Sequence, residues 1–586
     1  MLFSLLLALF LSCGRDQAES DPEKIILATP LDEPALEFAA LNPGIEFRRI
    51  MIASQVRRAI PLPPGRELKL PTPAGRLKFF AGIVPEYFRR NSSPVTLKLT
   101  AKGRTGEKVI WSRALSSKDT GWARVEIDTS EKFGSIALSS DANDYGLAIS
   151  VPSHAVASDP RPSVVLILVD ALRADHLGAY GYDRDTSPEI DALASQGAVF
   201  GSALTASPFT VTSLASIFTG LEPWEHRVIF TSNLVMDNRL VTLAQKLRSQ
   251  GYNTAGLSST YFHLSDFRAD RGFDFFDQAC DKKFFDGDAE CLSDKAVEWI
   301  AGQKGAGPFF LYLHYTAPHA PYRPPEQYRG LFSQGLPKPR GETGRGEIGA
   351  YGENRKWWQF FARPTRPTID WLMSQYDAEI RYSDEQIGRV LRALEDAGVR
   401  QNSLIIITAD HGEAFYEHKE MDHTEELHWQ VARVPLILAG AKIPAGKIIR
   451  DLVRTKDIAP SILDYLGAPL AESSGQSFIP MLSGVQMPAR EGYAINFRAG
   501  KKYQVGAIVY PWHLLIDQPR EKNIELYDLV ADQGETNDLS GQRPEVVKEL
   551  RSRLPDPEMV LSGGGTARPG LSKETEQRLK SLRYLH

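Results

Sequence analysis

Cysteine is nearly absent: the 586 residues hold only Cys13, Cys280 and Cys291. That excludes a disulfide-stapled scaffold and leaves room for one local bridge. An excess of one charge is lacking too. A net charge of −5 over the whole chain offers no basic surface, so nucleic-acid binding is not expected. No internal repeat with a period of about 20–50 residues is visible, which argues against a solenoid or propeller. No apolar run reaches the roughly 20 residues needed to cross a bilayer.

The longest apolar run is N-terminal, in MLFSLLLALFLSCG. Its length suits the h-region of a secretion signal. It ends in Leu-Ser-Cys-Gly, which resembles the box at which bacterial lipoproteins are cut and acylated on cysteine. Residues 1–13 then read as a lipoprotein-type signal with Cys13 as lipid-bearing N-terminus, and 14–28 as a polar, acidic tether. No Lys or Arg precedes the apolar run, and Phe10 stands where such boxes usually carry Leu. The implied localisation is export to the bacterial cell envelope or periplasm, with the membrane reached through a lipid anchor worth about 0.8 kcal/mol per buried CH₂. An oxidising compartment makes a Cys280–Cys291 disulfide the expected pairing.

Residues 29–155 alternate apolar and polar positions, as at Val95, Leu97 and Leu99, at Ala123, Val125 and Ile127, and at Leu147, Ile149 and Val151. Period two marks half-buried strands. Turn-rich stretches such as Asn91-Ser92-Ser93-Pro94 punctuate them. The expected unit is a jelly-roll-like β-sandwich. Its Phe79, Tyr87, Trp111 and Trp122 are either core residues or a platform for stacking sugars.

After the linker Ser158-Asp159-Pro160-Arg161-Pro162 the pattern changes. Ser163 to Val169 is a continuous apolar run, as in a central parallel strand buried on both faces. Helices are expected over Leu243–Gln250 and Trp371–Ala397, and strands over Phe309–Tyr315, Leu404–Ile407 and Pro435–Leu438. This alternation predicts an α/β fold, a doubly wound sheet spanning 160–586, with a small α+β subdomain from about 490. Residues 324–366, rich in Pro, Gly and Arg, read as a long loop of the lid or binding type.

The chemistry gathers at strand ends. Asp170 closes the first α/β strand, and Asp410-His411-Gly412-Glu413 follows another. Carboxyl ends of such strands bind ligands. Two carboxylates, an imidazole and the Thr210 hydroxyl suit a divalent cation that would ease ionisation of the hydroxyl. The nitrogen ligand favours Mn²⁺ or Zn²⁺, with Ca²⁺ also possible in such a set.

Several ordered motifs resemble the sulfatase branch of the alkaline phosphatase superfamily. They are Val-Asp-Ala-Leu-Arg-Ala-Asp-His-Leu-Gly-Ala-Tyr-Gly-Tyr from Val169, Ser-Pro-Phe-Thr-Val-Thr-Ser-Leu to Thr219-Gly220, Thr-Ala-Asp-His-Gly-Glu to Glu413, Arg433-Val-Pro-Leu, and Asp457-Ile-Ala-Pro. The resemblance runs from about 160 to 585 and implies the fold above. It implies Asp170, Asp410, His411 and Thr210 as metal ligands and Thr210 as nucleophile. It implies His319, in Ala-Pro-His-Ala-Pro-Tyr, and His423, ten residues before Arg433, as further active-site groups. His176 and His226 lie in matched motifs but read as structural, and Glu379 and Asp384 as packing or solvated-face residues.

Three positions depart from the sulfatases that convert Cys or Ser to formylglycine. A second acid beside the first is Ala171, the motif proline is Thr212 and its arginine is Leu214. Threonine cannot become formylglycine. The set therefore looks closer to lipoteichoic acid synthases and phosphoethanolamine transferases, which use a threonine nucleophile and one catalytic metal. A sulfated threonine has no aldehyde-forming exit, whereas a phosphothreonine is open to attack at phosphorus, so chemistry favours phosphoryl over sulfuryl transfer. The expected function is a metal-dependent hydrolase of sulfate or, better, phosphate esters, on a glycan or lipid head group. The alternatives are a phosphoryl head-group transferase of the envelope and a catalytically weak glycan-binding protein.

Overall fold

The computed structural model describes residues 38–561, less 338–364, 84–93 and shorter internal stretches. The signal, Cys13 and tether, Tyr87, Val151, most of the long loop and the C-terminal 562–586 lie outside the described residues. Among the described residues no helix is long and apolar enough to cross a membrane.

Ser163–Val169 is buried at every position, as a strand covered on both faces must be. It pairs in parallel with Phe309–Tyr315 on one side and Ser403–Thr408 on the other. Asn253–Ser258 and Phe275–Asp277 extend the parallel run. Leu436–Gly440 then enters antiparallel to Ser403–Thr408 and hands over to Ala198–Leu204. The sheet is thus mixed. Helices cover it, among them Arg366–Asp396 and Ala289–Ala301. The long helix starts five residues ahead of the expected Trp371. Thr365 caps it by accepting from the Thr368 N–H, and Pro367 sits in the first turn, where its missing N–H costs nothing. Gly398, with φ +70°, lies just past its end.

The N-terminal strands form two sheets around a shared apolar core of Leu77, Phe79, Leu97, Leu99, Leu138 and neighbours. One is Leu68–Leu70, Ser135–Ser140, Val95–Gly103 and Gly106–Leu115 in that order. The other is continuous with the α/β sheet: Gln55–Pro61 pairs antiparallel with Phe275–Asp277. Arg57 fastens this junction. Its guanidinium lies 3.4 Å from the Phe80 ring centre and 4.6 Å from that of Phe275, and donates to the Asp274 carbonyl at 2.6 Å. Phe79 and Trp122 are buried, and the Trp122 indole N–H donates to the Gln55 carbonyl, so neither offers a stacking face to a sugar. Trp111 is half-buried against the same core. Leu147–Ser150 does not alternate: all four residues are buried, because Ala148 packs on Ala59 and Trp122 across the opposite face.

C-terminally, Glu491–Arg498, Lys502–Val509, Trp512–Gln518 and Lys522–Asp528 make an antiparallel meander with helix Pro544–Arg551. His176 and His226 are buried in structural contacts, the first with Asp377 at 2.7 Å and the second with Ser216 at 2.9 Å. Asp384 and Glu379 are both buried, not solvated. Asp384 accepts from the N–H groups of Glu189 and Ile190, at the start of helix Pro188–Ser195, while burial pushes its carboxyl up to about 7.

Cys280 and Cys291 are bridged, with Cα atoms 5.7 Å apart. A loop of this size (sequence separation 11) is worth about 3 kcal/mol by chain entropy. The double Cys→Ser variant should unfold at correspondingly lower urea concentration while keeping its metal affinity.

Candidate functional site

Asp170 follows the central strand, with its N–H still donating to the Tyr315 carbonyl at 2.8 Å. Ala171 then turns the chain sharply, at φ +57°. A non-glycine residue in that conformation stores strain, and such residues cluster at functional sites. The Tyr376 hydroxyl clamps the turn: it donates to the Ala171 carbonyl at 2.7 Å and accepts from the Arg173 N–H at 2.8 Å. Asp410 and His411 leave the neighbouring strand at the same edge. The Ala171 N–H donates to Asp410 Oδ1 at 3.2 Å. Gly412 is required there, since a Cβ would lie 2.1 Å from the Gln430 carbonyl oxygen.

Asp170, Asp410 and His411 are completely buried. His411 Nε2 lies 3.6 Å from Asp170 Oδ1 and 3.4 Å from Asp410 Oδ2. A fourth group joins them. His314 occupies the parallel register position opposite Leu168, and its Nε2 is 3.5 Å from Asp170 Oδ2. Asp170, His314 and Asp410 each offer a ligand atom within 4.8 Å of the others. Both Asp170 oxygens, Asp410 Oδ2, His411 Nε2 and His314 Nε2 are buried without a hydrogen-bond partner. Buried polar atoms are normally paired. Five unpaired ones converging on one place fit a cation.

The electrostatics agree. Burial, with the Asp410 charge beside it, pushes the Asp170 carboxyl well above the usual range. Burial would raise Asp410 as well, but His411 and His314 hold it below its ordinary value. Burial keeps both imidazoles neutral, pulling His411 down and His314 to about 4. Neutral imidazole and ionised carboxylate are the forms that ligate metal; burial holds His314 and His411 in that form and Asp410 keeps its charge, whereas Asp170 needs the positive charge of a cation to ionise. The His411 Nδ1–H donates to the Gly412 carbonyl at 2.9 Å, which leaves Nε2 as the ligating atom. Two nitrogens with carboxylate oxygens suit Zn²⁺ or Mn²⁺. Since His314 completes the set, His314→Ala should weaken metal affinity at least about 10–100-fold by competition titration, the loss typical of groups that merely support a ligand.

Thr210 begins helix Thr210–Thr219 and is 4% exposed. The Ser213 hydroxyl, in the same helical turn, donates to the Asp410 carbonyl at 2.9 Å, and the Thr205 hydroxyl donates to that carbonyl too. The nucleophile candidate therefore heads a helix tied to the metal-ligand loop. A helix N-terminus carries unpaired N–H groups and favours anions. His423 stacks on His411 with ring centres 4.1 Å apart, and His319 lies 5.0 Å from His423 and 6.2 Å from His411. Asp170, Asp410, His411, His319 and His423 thus lie together at one sheet edge, and Thr210 heads the helix tied to it through Ser213. Sequence reading omitted two: His314, inside an apolar strand, and Glu413, whose Oε1 is 3.0 Å from His423 Nδ1. Each sits within a motif or element already singled out, and its register position was the available signal.

Two buried carboxylates and two buried imidazoles at the carboxyl edge of an α/β sheet, with a hydroxyl on an adjoining helix N-terminus, are the groups of a candidate metal centre in an α/β enzyme. The chain belongs to the sulfatase family of the alkaline phosphatase superfamily: the family's profile, described as Sulfatase, matches residues 162–468, more than half of the chain. An arylsulfatase of Clostridium perfringens is 25% identical over 374 residues, covering 53% of this chain and 76% of that one. The solved structure of BT4656 with its substrate D-glucosamine-2-N,6-O-disulfate shares the fold at a TM-score of 0.58 and 20% identity, over 69% of this chain and 98% of the other. The phosphonate monoester hydrolase of Agrobacterium radiobacter shares it at 0.54 and 20%, over 67% and 96%.

Proposed function

We propose that this sulfatase-family enzyme is a metal-dependent ester hydrolase in which Thr210 is the nucleophile, acting on phosphate esters in preference to sulfate esters borne by glycans or lipid head groups. The observation that carries the reading is the set of five unpaired ligand atoms on Asp170, His314, Asp410 and His411, beside the helix that Thr210 heads.

These four residues would hold the cation. Once bound it would supply positive charge, which would ease ionisation of the Thr210 hydroxyl and offset charge on the ester's non-bridging oxygens. The protein does the rest. Asp410 is fixed through the Ala171 N–H and through the two hydroxyls on its carbonyl, which keeps the ligand loop and the Thr210 helix in one register. Burial of the whole edge excludes bulk water and strengthens every electrostatic contact there. Thr210 attacks, His319 and His423 contact the substrate or leaving oxygen, and water resolves the covalent intermediate. Threonine decides the preference for phosphate, because a phosphothreonine is open to attack at phosphorus. The fold itself serves both chemistries, as the sulfated glucosamine complex and the phosphonate hydrolase illustrate. In the same reading residues 1–13 export the protein, Cys13 carries lipid, and 29–155 are a β-sandwich domain preceding the catalytic unit.

The test is a screen of aryl sulfates, phosphate monoesters and phosphodiesters with Mn²⁺, Zn²⁺ and Ca²⁺, followed by accurate mass of the Thr210 peptide after rapid quench. Turnover of phosphate esters with a phosphorylated Thr210 supports the proposal. Sulfate turnover without a modified Thr210 overturns it.

A further inference from the structure

The turn after Asp170 is held by a hydroxyl from a distant helix. Ala171 stands at φ +57°, where the side chain of an L-residue crowds the carbonyl oxygen that follows. The conformation is put to use. The Ala171 N–H donates to Asp410 Oδ1 at 3.2 Å, so the residue after one ligand carboxylate holds the other. Tyr376, inside helix Arg366–Asp396, closes the turn from the far side. Its hydroxyl donates to the Ala171 carbonyl at 2.7 Å and accepts from the Arg173 N–H at 2.8 Å. One oxygen therefore pairs a buried carbonyl with the N–H two residues on, groups that folding must satisfy.

The ring that carries this hydroxyl is fully buried. Three other rings meet it edge-on: Phe415 at 5.1 Å, His176 at 5.2 Å and Tyr322 at 5.7 Å. Packing of this kind fixes where the hydroxyl lies. Arg173 carries the tie onward. Its guanidinium donates to the Glu413 carbonyl at 3.0 Å and pairs with Glu417 at 2.6 Å, both in the chain that follows His411. The Asp170 turn is thus joined to the Asp410–His411 loop at two points, with Tyr376 bonded between them.

We propose that Tyr376 is a positioning residue: its hydroxyl holds Ala171 in the left-handed turn that sets Asp170 beside Asp410, so the cation site is formed before the cation arrives. The inference rests on the reading of Asp170, His314, Asp410 and His411 as that site. Without the hydroxyl, Ala171 relaxes toward negative φ and its N–H leaves Asp410. Only the fraction of molecules that still hold the turn then binds, and the apparent affinity falls by that fraction.

Tyr376→Phe keeps the ring and removes the hydroxyl alone. Its affinity for Mn²⁺ and Zn²⁺, by competition titration, should fall about 10–100-fold, the loss typical of groups that orient a ligand. Tyr382→Phe is the matched control. Tyr382 is a buried residue of the same helix, and its hydroxyl likewise bridges, accepting from the Glu290 N–H at 2.9 Å and donating to the Asp288 carboxylate at 3.2 Å. Losing it should lower stability and leave metal affinity at the parent's value. Adding Ala171→Gly to Tyr376→Phe should recover up to about tenfold in affinity, since glycine takes positive φ without crowding. Undiminished affinity in Tyr376→Phe, an equal fall in Tyr382→Phe, or no recovery with glycine would each overturn the proposal. Should Tyr376→Phe fail to fold, hydrogen exchange of the metal-free parent decides. Amides of Ala171–Arg173 that exchange as slowly without metal as with it support a preformed turn, and rapid exchange that only metal suppresses overturns it. A parent that binds no cation at these four residues strikes the site reading instead, and shows it before any variant is made.

Discussion

Thr210→Ala should abolish turnover, by about 10⁴-fold or more, while thermal unfolding and metal content stay near those of the parent. The size of the loss follows from the role. A covalent nucleophile splits one difficult step into two, and removing it leaves only binding and electrostatic stabilisation. Stability should hardly move, because the substitution deletes one hydroxyl and one methyl at the first turn of a helix whose other residues carry its packing, such as Leu214, Ile217 and Phe218. Thr210→Ser should keep measurable activity, since it preserves the hydroxyl and removes only a methyl. Steady-state kinetics beside thermal melts check both variants. Activity in Thr210→Ala within tenfold of the parent contradicts the nucleophile assignment.

The second large effect concerns Asp170 and separates stability from function. Asp170→Asn should cut activity by at least about 10³-fold, on the scale of losing metal-assisted charge stabilisation at the reacting centre. Yet without metal the variant should be more stable than the parent. Asp170 and Asp410 are both buried beside each other, and burial together with the Asp410 charge opposes ionisation of Asp170. An amide has no ionised form to disfavour, so it removes the cost of burying this carboxyl at nearly equal volume. In the parent, metal restores the balance: a cation present at about 100 times its Kd adds about 2.7 kcal/mol of folding stability. Melts with a chelator and with added Mn²⁺ or Zn²⁺ check this. The parent should be the less stable protein in chelator and should gain far more from metal. A variant less stable than the parent in both conditions would contradict the picture of two carboxylates awaiting a cation.

What was legible in the sequence follows from where the signal is local. Ser163–Val169 reads as a central strand because both faces are covered and every residue is apolar or small. Asp170 is legible because it directly follows such a run, and Asp410 and His411 because they come two and three residues after another, Ser403–Thr408. His314 is hidden by the same property that reveals those strands. In Phe-Phe-Leu-Tyr-Leu-His-Tyr it reads as one more core position, and only pairing opposite Leu168 places it beside Asp170. Glu413 has its meaning through a hairpin register that two-residue strands barely announce. The junction of the N-terminal strands with the α/β sheet is a tertiary pairing of Val56 with Phe276, far apart in the chain. No periodicity encodes that. Phe79 and Trp122 show the converse: aromatic residues in a β-region fit a binding platform or a core equally well, and the packing of two sheets decides for the core.

The most direct test of the central claim is anomalous X-ray scattering from crystals of the metal-loaded protein, recorded at the absorption edges of Mn and Zn. The account predicts one strong peak bounded by Asp170, His314, Asp410 and His411, with the Thr210 hydroxyl facing it. A metal peak elsewhere with none between these four side chains, or a Thr210 hydroxyl turned away from it, would contradict the account.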